Sequence, residues 1–118
     1  MKLIVALILI LPAIALSATV INSFDAPDTG ISGLAWDGTH LWAVDGTTQY
    51  AYELDPTDGT VLSSFYILDQ TPTFDPVPGG TVFLNDSLYV TMCDSTLYGK
   101  VYKYDSSGNY GGLFDVYC

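Results

Sequence analysis

The chain has 118 residues with 13 acidic side chains, 3 lysines and no arginine, and its formal net charge is −10. Nucleic-acid binding and docking on an anionic membrane both depend on clustered cationic side chains, so this composition argues against both functions. Setting aside an apolar N-terminus of 18 residues leaves 100 (118 minus 18), which is enough for one small domain. Every Trp, Tyr and Phe lies in this remainder, which argues against a disordered chain.

Residues 1–18 have the layout of a secretory signal peptide. Lys2 gives a positive start, residues 3–11 are uninterrupted apolar side chains, and Pro12 precedes small residues that end at Ala18. We expect cleavage after Ala18 and a secreted protein, extracellular or periplasmic, with no membrane contact once the signal is removed. An uncleaved anchor is the alternative, but the apolar run is shorter than the ~20 residues that a membrane span needs.

Export makes the two cysteines, Cys93 and Cys118, candidates for a disulfide. The alternative is one buried thiol and one thiol at a frayed C-terminus. Two cysteines without neighbouring histidines do not form a zinc site, and the sequence indicates no cofactor.

The main organising feature is an internal repeat with a period near 50 residues. Residues 41–45 resemble residues 88–91 at an offset of 47, and residues 51–55 resemble residues 101–105 at an offset of 50. Gly59 and Gly108 also correspond, at an offset of 49. A period of this length is typical of β-propeller blades rather than of helical repeats.

Within each repeat the apolar residues alternate with a period of two, which predicts strands. Asp37-Gly38 is a hairpin signal because glycine accepts the positive φ of a tight turn. The expected strands cover residues 31–36, 40–44, 50–54 and 61–67 in the first unit, and residues 81–84, 87–92, 99–104 and 110–117 in the second.

Two further segments lie outside these units. Residues 70–80 contain three prolines and are expected to form a linker, because proline cannot donate to a strand ladder. Residues 19–24 are expected to form an additional strand, since Ser23-Phe24 resembles Ser64-Phe65 of the fourth strand. The expected organisation is therefore a signal peptide (1–18), a strand (19–24), a first unit (31–67), the linker (70–80) and a second unit (81–117).

Residues 33–45, Gly-Leu-Ala-Trp-Asp-Gly-Thr-His-Leu-Trp-Ala-Val-Asp, followed by residues 52–59, resemble secreted prokaryotic β-propellers. The most similar in style are the glutamine-cyclotransferase-like, YVTN-type and NHL-type repeat families. The resemblance implies an all-β fold of two four-stranded antiparallel blades plus one N-terminal strand. Propellers close with about four to eight blades, so two blades form an incomplete propeller unless they oligomerise. We expect an N-terminal portion of a longer propeller, with a homo-oligomeric ring of two-blade chains as the alternative.

Several residues are candidates for binding. Trp36, Trp42 and Tyr89 are weak candidates for a ligand site because aromatic faces stack on sugars and peptides; inter-blade packing is the alternative. Asp45 and Asp94 are weak calcium candidates, although aspartates also favour turns, and no metal site is otherwise predicted. His40, the only histidine, directly follows a hairpin turn and is expected to be structural.

The sequence favours a non-catalytic module that binds an extracellular protein or glycan. No nucleophile motif, paired-carboxylate pattern or phosphate-binding loop is present, so no catalytic residue is assigned. The resemblance offers two alternatives. One is part of a glutaminyl-peptide cyclotransferase-like enzyme, and the other is an oligomeric lectin of two-blade chains, although fucose-binding propeller lectins use arginine and this chain has none.

Overall fold

A computed structural model describes residues 18–67, 77–93 and 98–117 of the chain. These residues form eight strands and no helix. The strands are β1 (Ile31–Trp36), β2 (Leu41–Asp45), β3 (Tyr50–Leu54), β4 (Val61–Tyr66), β5 (Val77–Leu84), β6 (Ser87–Cys93), β7 (Tyr98–Asp105) and β8 (Tyr110–Tyr117). They make two four-stranded antiparallel sheets, each with its strands in chain order. The expected all-β class and the two four-stranded units are confirmed.

The hairpin turns form where the sequence supplies residues that tolerate positive φ. Gly38, between β1 and β2, has a φ of 105°. At the same place in the second unit, Asn85 and Asp86 have φ values of 49° and 56°. Two consecutive left-handed residues, as in the second hairpin, match the right-handed twist of the strands that they join. In the first hairpin only Gly38 of the turn residues has a positive φ, so the two hairpins close with different turn conformations.

The two sheets pack face to face, with β1 against β5 at one edge of the interface. Gly33 of β1 lies so close to Gly79 and Thr81 of β5 that a Cβ atom would clash with both. The hydroxyl of Ser32 donates a hydrogen bond of 2.8 Å to the carbonyl oxygen of Pro78, which also joins the two sheets.

One hydrophobic core lies between the sheets. Both sheets contribute alternate side chains to it, as strands do when one face is buried. The buried members are Ala35, Trp42, Val44, Ala51, Ile67, Leu88, Val90, Met92, Tyr102 and Tyr104, with Phe65 and Phe83 packed against them. The two units therefore stabilise each other through a shared interior.

The linker expected over residues 70–80 is shorter than the prolines indicate. Its last four residues belong to β5, where Pro78 pairs with Met92 opposite a bulge. Proline is tolerated here because β5 is an edge strand with a neighbour in its sheet on one side only. Residues 70–76 lie outside the described part of the chain.

Residues 19–24 do not form the expected strand. Their placement nevertheless follows the repeat. Phe24 contacts Gly59 of the first unit, just as Phe65 of β4 contacts Gly108 of the second unit. This N-terminal segment thus lies against the first sheet as β4 lies against the second.

The signal peptide expected at residues 1–18 lies outside the described residues except for Ala18. Among the residues that are described, no helix is long and apolar enough to cross a membrane.

Candidate functional site

An aromatic stack occupies the centre of the interface between the sheets. Trp42 is fully buried, and its ring lies 5.9 Å from that of Phe83 at an interplanar angle of 18°. Phe65 approaches the same indole at 6.0 Å with its ring tilted by 54°. We call these three side chains the aromatic stack. Because neither face of Trp42 reaches solvent, a ligand would not contact it in this arrangement.

The other two aromatic candidates lie on the outer faces of the two sheets. Trp36 is 53% exposed and follows Leu34 on the face of the first sheet that looks away from the second. Tyr89 lines an open apolar cleft of about 510 Å³ on the outer face of the second sheet, together with Val82, Val101 and Phe114. The structure therefore does not bring Trp36, Trp42 and Tyr89 together into one pocket.

Asp45, a calcium candidate, is fully buried and surrounded by hydrogen-bond donors. Its Oδ1 accepts from the backbone N–H groups of Thr47 and Thr48 at 2.7 and 2.6 Å, and its Oδ2 accepts from that of Gly30 at 2.9 Å. Burial raises the pKa of Asp45, but these donors and the Thr48 hydroxyl outweigh it and hold the pKa below its ordinary value. Asp45 thus stabilises the turn after β2. The second calcium candidate, Asp94, lies outside the described residues.

Cys93 ends β6, beside Gly99 of β7, which in turn pairs with Val116 of β8. This register places Cys93 at the same end of the sheet as the C-terminal end of β8. Cys118 lies outside the described residues, so the Cys93–Cys118 disulfide stays a prediction.

A second group of polar side chains lies at the end of the sheets near the first hairpin turn. Asp37 begins this turn, His40 ends it, and Glu53 projects from the neighbouring strand β3. His40 Nδ1 lies 2.8 Å from Glu53 Oε1 and 3.8 Å from Asp37 Oδ2. One ligand atom from each residue lies within 4.8 Å of the other two. We call these residues the Asp–His–Glu cluster.

Both carboxylates of the cluster are held by donors outside it. Asp37 Oδ2 accepts a hydrogen bond of 2.9 Å from the Trp42 indole, and its Oδ1 accepts from the backbone N–H groups of Thr39 and His40. Glu53 Oε2 accepts from the Ser63 hydroxyl at 2.7 Å. Burial raises the pKa of Asp37, but these bonds and the charge of His40 lower it below its ordinary value. Asp37 is therefore ionised and fixed in place at neutral pH.

The cluster lines a polar cavity of about 280 Å³ between the two units, to which the second unit contributes Phe83, Asp86 and Ser106. The side chains of Asp37, His40 and Glu53 are 13%, 34% and 19% exposed, so they are shielded from solvent yet still accessible. Chemically, this arrangement can bind a cation or hold a proton between the imidazole and a carboxylate.

Sequence reasoning assigned His40 a structural role and overlooked Asp37 and Glu53. The sequence indicates only a turn at Asp37, and Glu53 is 13 positions from His40 along the chain. The signal that could have found the cluster is the β2–β3 pairing, in which Trp42 stands opposite Glu53. That register brings Glu53 close to the first hairpin turn.

Comparisons with protein families and with curated proteins find no relative. No protein-family model matches the chain, and no curated protein matches it either. The resemblance to propeller repeats stays a prediction that rests on the residues quoted above.

Proposed function

We propose that this chain is an exported, non-catalytic β-propeller module that binds an extracellular protein or glycan, and that its two sheets are consecutive blades of a larger assembly. One observation carries the proposal. Trp42 and Phe83 of the aromatic stack lie between the two sheets, and the residues that correspond to them in the other unit lie on the two outer faces of the pair of sheets.

The correspondence follows the 47-residue offset of the repeat. Trp42 corresponds to Tyr89, and Phe83 corresponds to Trp36. Trp42 and Phe83 face each other across the interface between the sheets. Their counterparts lie on the outer faces, where Trp36 is 53% exposed and Tyr89 lines an open cleft. Each outer face therefore presents one aromatic side chain that could form a contact like that of Trp42 and Phe83 with a further sheet.

A second set of contacts supports the same arrangement. Phe24 lies on Gly59 and Phe65 lies on Gly108, which repeats one contact from unit to unit. The next member of this series is Phe114, which corresponds to Phe65 at an offset of 49 and is 52% exposed. A further sheet packed against the second unit would cover Phe114 and Tyr89 together, which favours assembly with more blades.

A binding role is favoured over the cyclotransferase alternative by the positions of the aromatic residues. The resemblance to cyclotransferases implies one central aromatic pocket, whereas Trp36, Trp42 and Tyr89 lie on an outer face, in the core and on the opposite outer face.

The proposal is tested by measuring the solution mass of the purified chain by light scattering over a range of concentrations, with two variants. We expect the native chain to associate and Tyr89→Lys to prevent association, because a lysine cannot stack in a dry aromatic interface. Ile21→Lys is the matched control, since Ile21 is 96% exposed and is not one of the aromatic positions. A defined ring would support the homo-oligomer, and polydisperse association would support a module of a longer propeller.

The opposite result is a monomer at every concentration that unfolds cooperatively and is unaffected by Tyr89→Lys. That result would contradict assembly through the outer faces. If the chain does assemble, two assays separate the functions. Binding of the assembled protein on a glycan array would indicate a lectin, and ammonia release from a peptide that begins with glutamine would indicate a cyclotransferase, so that neither result leaves a protein-binding module.

A further inference from the structure

We infer that the Asp–His–Glu cluster is a binding site for a single divalent transition-metal ion, of which Zn²⁺ is the representative. This inference concerns a site within the first unit and does not depend on the proposed assembly or on the partner that the assembly binds.

The separations between the candidate ligand atoms fit one ion. Nitrogen and carboxylate ligands bind Zn²⁺ at about 2.0–2.2 Å, so two atoms that share the ion lie roughly 3.0 to 3.5 Å apart. His40 Nδ1 is 2.8 Å from Glu53 Oε1 and 3.8 Å from Asp37 Oδ2. The ligand atoms of Asp37 and Glu53 lie within 4.8 Å of each other, so modest side-chain adjustments, on the order of 1 Å, would place all three atoms at bonding distance.

The carboxylates are already oriented for this role. Metal-binding side chains are usually fixed by hydrogen bonds from groups outside the coordination sphere. Trp42 and two backbone N–H groups hold Asp37, and Ser63 holds the oxygen of Glu53 that points away from His40. Glu53 Oε1 is left directed at the imidazole, where an ion would replace the proton between them.

The charge around the cluster also favours a cation. The cavity is lined by three carboxylates, those of Asp37, Glu53 and Asp86, and by the single imidazole of His40. The lysines of the described residues lie elsewhere, since Lys100 binds Asp115 and Lys103 lies over the ring of Tyr89. The surplus of negative charge in a shielded cavity would be offset by a bound divalent ion.

The fold itself does not require these three residues. By the repeat offsets of 47 and 50, their counterparts in the second unit are Leu84, Ser87 and Lys103. The second unit forms the same four-stranded sheet without any of these ligands. Asp37 also holds the first hairpin turn, but the combination of Asp37, His40 and Glu53 is an addition to the first unit that the shared architecture does not explain.

The donor set selects the class of metal. Imidazole nitrogen suits zinc and other first-row transition metals, whereas calcium prefers oxygen ligands throughout. With one nitrogen and two carboxylate oxygens, the cluster should prefer Zn²⁺ to Ca²⁺.

The test uses the fact that His40 is the only histidine in the chain. Chelator-treated native protein is titrated with ZnCl₂ while the C–H resonances of the imidazole are followed by NMR, and binding is measured in parallel by calorimetry. We expect saturation at one equivalent of Zn²⁺, with the His40 resonances shifted, and much weaker binding of CaCl₂.

Three variants sharpen the test. We expect His40→Ser and Glu53→Gln to weaken Zn²⁺ binding about tenfold or more, as losses of metal-site groups do. Asp58→Asn is the matched control, because it removes one negative charge from an exposed side chain outside the cavity. His40→Ser introduces the residue that the second unit carries at this position, and circular dichroism of each variant checks that it is folded.

Three outcomes would overturn the inference. The first is a His40 spectrum that does not change at one equivalent of Zn²⁺, which would place any binding elsewhere and needs no variant to interpret. The second is an equal loss of affinity in Asp58→Asn and Glu53→Gln, and the third is equal affinity for Ca²⁺. Either of these last two would show that only the overall charge attracts the ion.

Discussion

The two units share one architecture but use it differently. The first unit has the second sheet on one face, and the N-terminal segment around Phe24 covers part of the other face, where Trp36 stays exposed. The second unit is covered on one face only, and its other face carries an open apolar cleft beside Tyr89. The same repeated position is therefore core in one unit and surface in the other, so burial here is set by neighbours rather than by residue type.

The units also differ in their polar residues. The first unit buries Asp45 at the end of β2, where the second unit has the buried Met92. The first unit carries the Asp–His–Glu cluster, and the second carries Leu84, Ser87 and Lys103 at those positions. Since both sheets form, the polar groups in the first unit are additions that a four-stranded sheet of this kind can lack.

Alanine substitution is expected to have its most unequal effects on the stability of the two units at Trp42 and the corresponding Tyr89. Trp42→Ala should destabilise the fold by about 3–5 kcal/mol, because it removes a fully buried indole from the aromatic stack. Tyr89→Ala, at the corresponding position on the open face, should cost about 1 kcal/mol or less. Urea unfolding of both variants measures the difference. Equal costs would contradict the packing of the sheets through Trp42.

Alanine substitution of Phe65, Phe24 and Phe114, which occupy equivalent places in the repeat, should reduce the stability of the fold by successively smaller amounts. Phe65→Ala should cost about 2–3 kcal/mol because Phe65 packs on the core and on Gly108. Phe24→Ala should cost about 1–2 kcal/mol, and Phe114→Ala less than about 1 kcal/mol, because Phe114 is half exposed. Thermal unfolding of the three variants gives the order. If Phe24→Ala had no effect, the N-terminal segment would not pack on the first sheet.

Asp45→Asn should cost about 1–3 kcal/mol at neutral pH, because the new amide N–H₂ would face another donor in a buried site. The folded pKa of Asp45 lies below its ordinary value of 3.8. Its charged form therefore stabilises the protein above about pH 4, and this contribution is lost as the pH falls through the folded pKa.

Measuring the free energy of unfolding from about pH 6 to pH 3 tests this linkage. We expect Asp45→Asn to lose less stability on acidification than the native chain does. The exposed Asp58→Asn serves as the control and should follow the native profile closely. An unchanged acid sensitivity in Asp45→Asn would mean that other carboxylates dominate.

The smallest difference in the cost of substitution is expected at a cross-strand pair that occupies the same place in both units. The first unit pairs Tyr50 with Tyr66, whose rings meet edge to face at 5.6 Å, and the second pairs Lys100 with Asp115 at 2.8 Å. Asp115 is 81% exposed, so Asp115→Ala should cost less than about 0.5 kcal/mol and even less in high salt. Tyr66→Ala should cost about 0.5–1 kcal/mol at any salt concentration. Denaturant unfolding at two ionic strengths distinguishes the pairs, and a strong salt effect on Tyr66→Ala would be inconsistent with a ring contact.

The strands and turns were predictable because they depend on short patterns. Alternating apolar residues and the Asp37-Gly38 turn place β1 and β2 to within one residue. Pro78 was misleading, since its strand position depends on β5 being an edge strand, which the local sequence does not reveal. The burial of Trp42 depends on which face of one sheet meets the other, and neither unit determines that alone.

The candidate site was harder to predict than the strands. Asp37 and His40 are separated by one turn, but Glu53 joins them only through the register of β2 and β3. A shift by one residue would direct Glu53 to the opposite face of the sheet. The repeat alignment found the aromatic positions because both units keep them, and it could not find a cluster that only one unit has.

The central claim is that the two units pack through the aromatic stack, and a double-mutant cycle on Trp42 and Phe83 tests it most directly. The free energies of unfolding of Trp42→Leu, Phe83→Leu and the double variant are measured by urea titration at neutral pH. The stacked rings, 5.9 Å apart, should give a coupling energy of about 0.5–1.5 kcal/mol. Strictly additive effects would contradict the face-to-face packing from which the open outer faces were inferred.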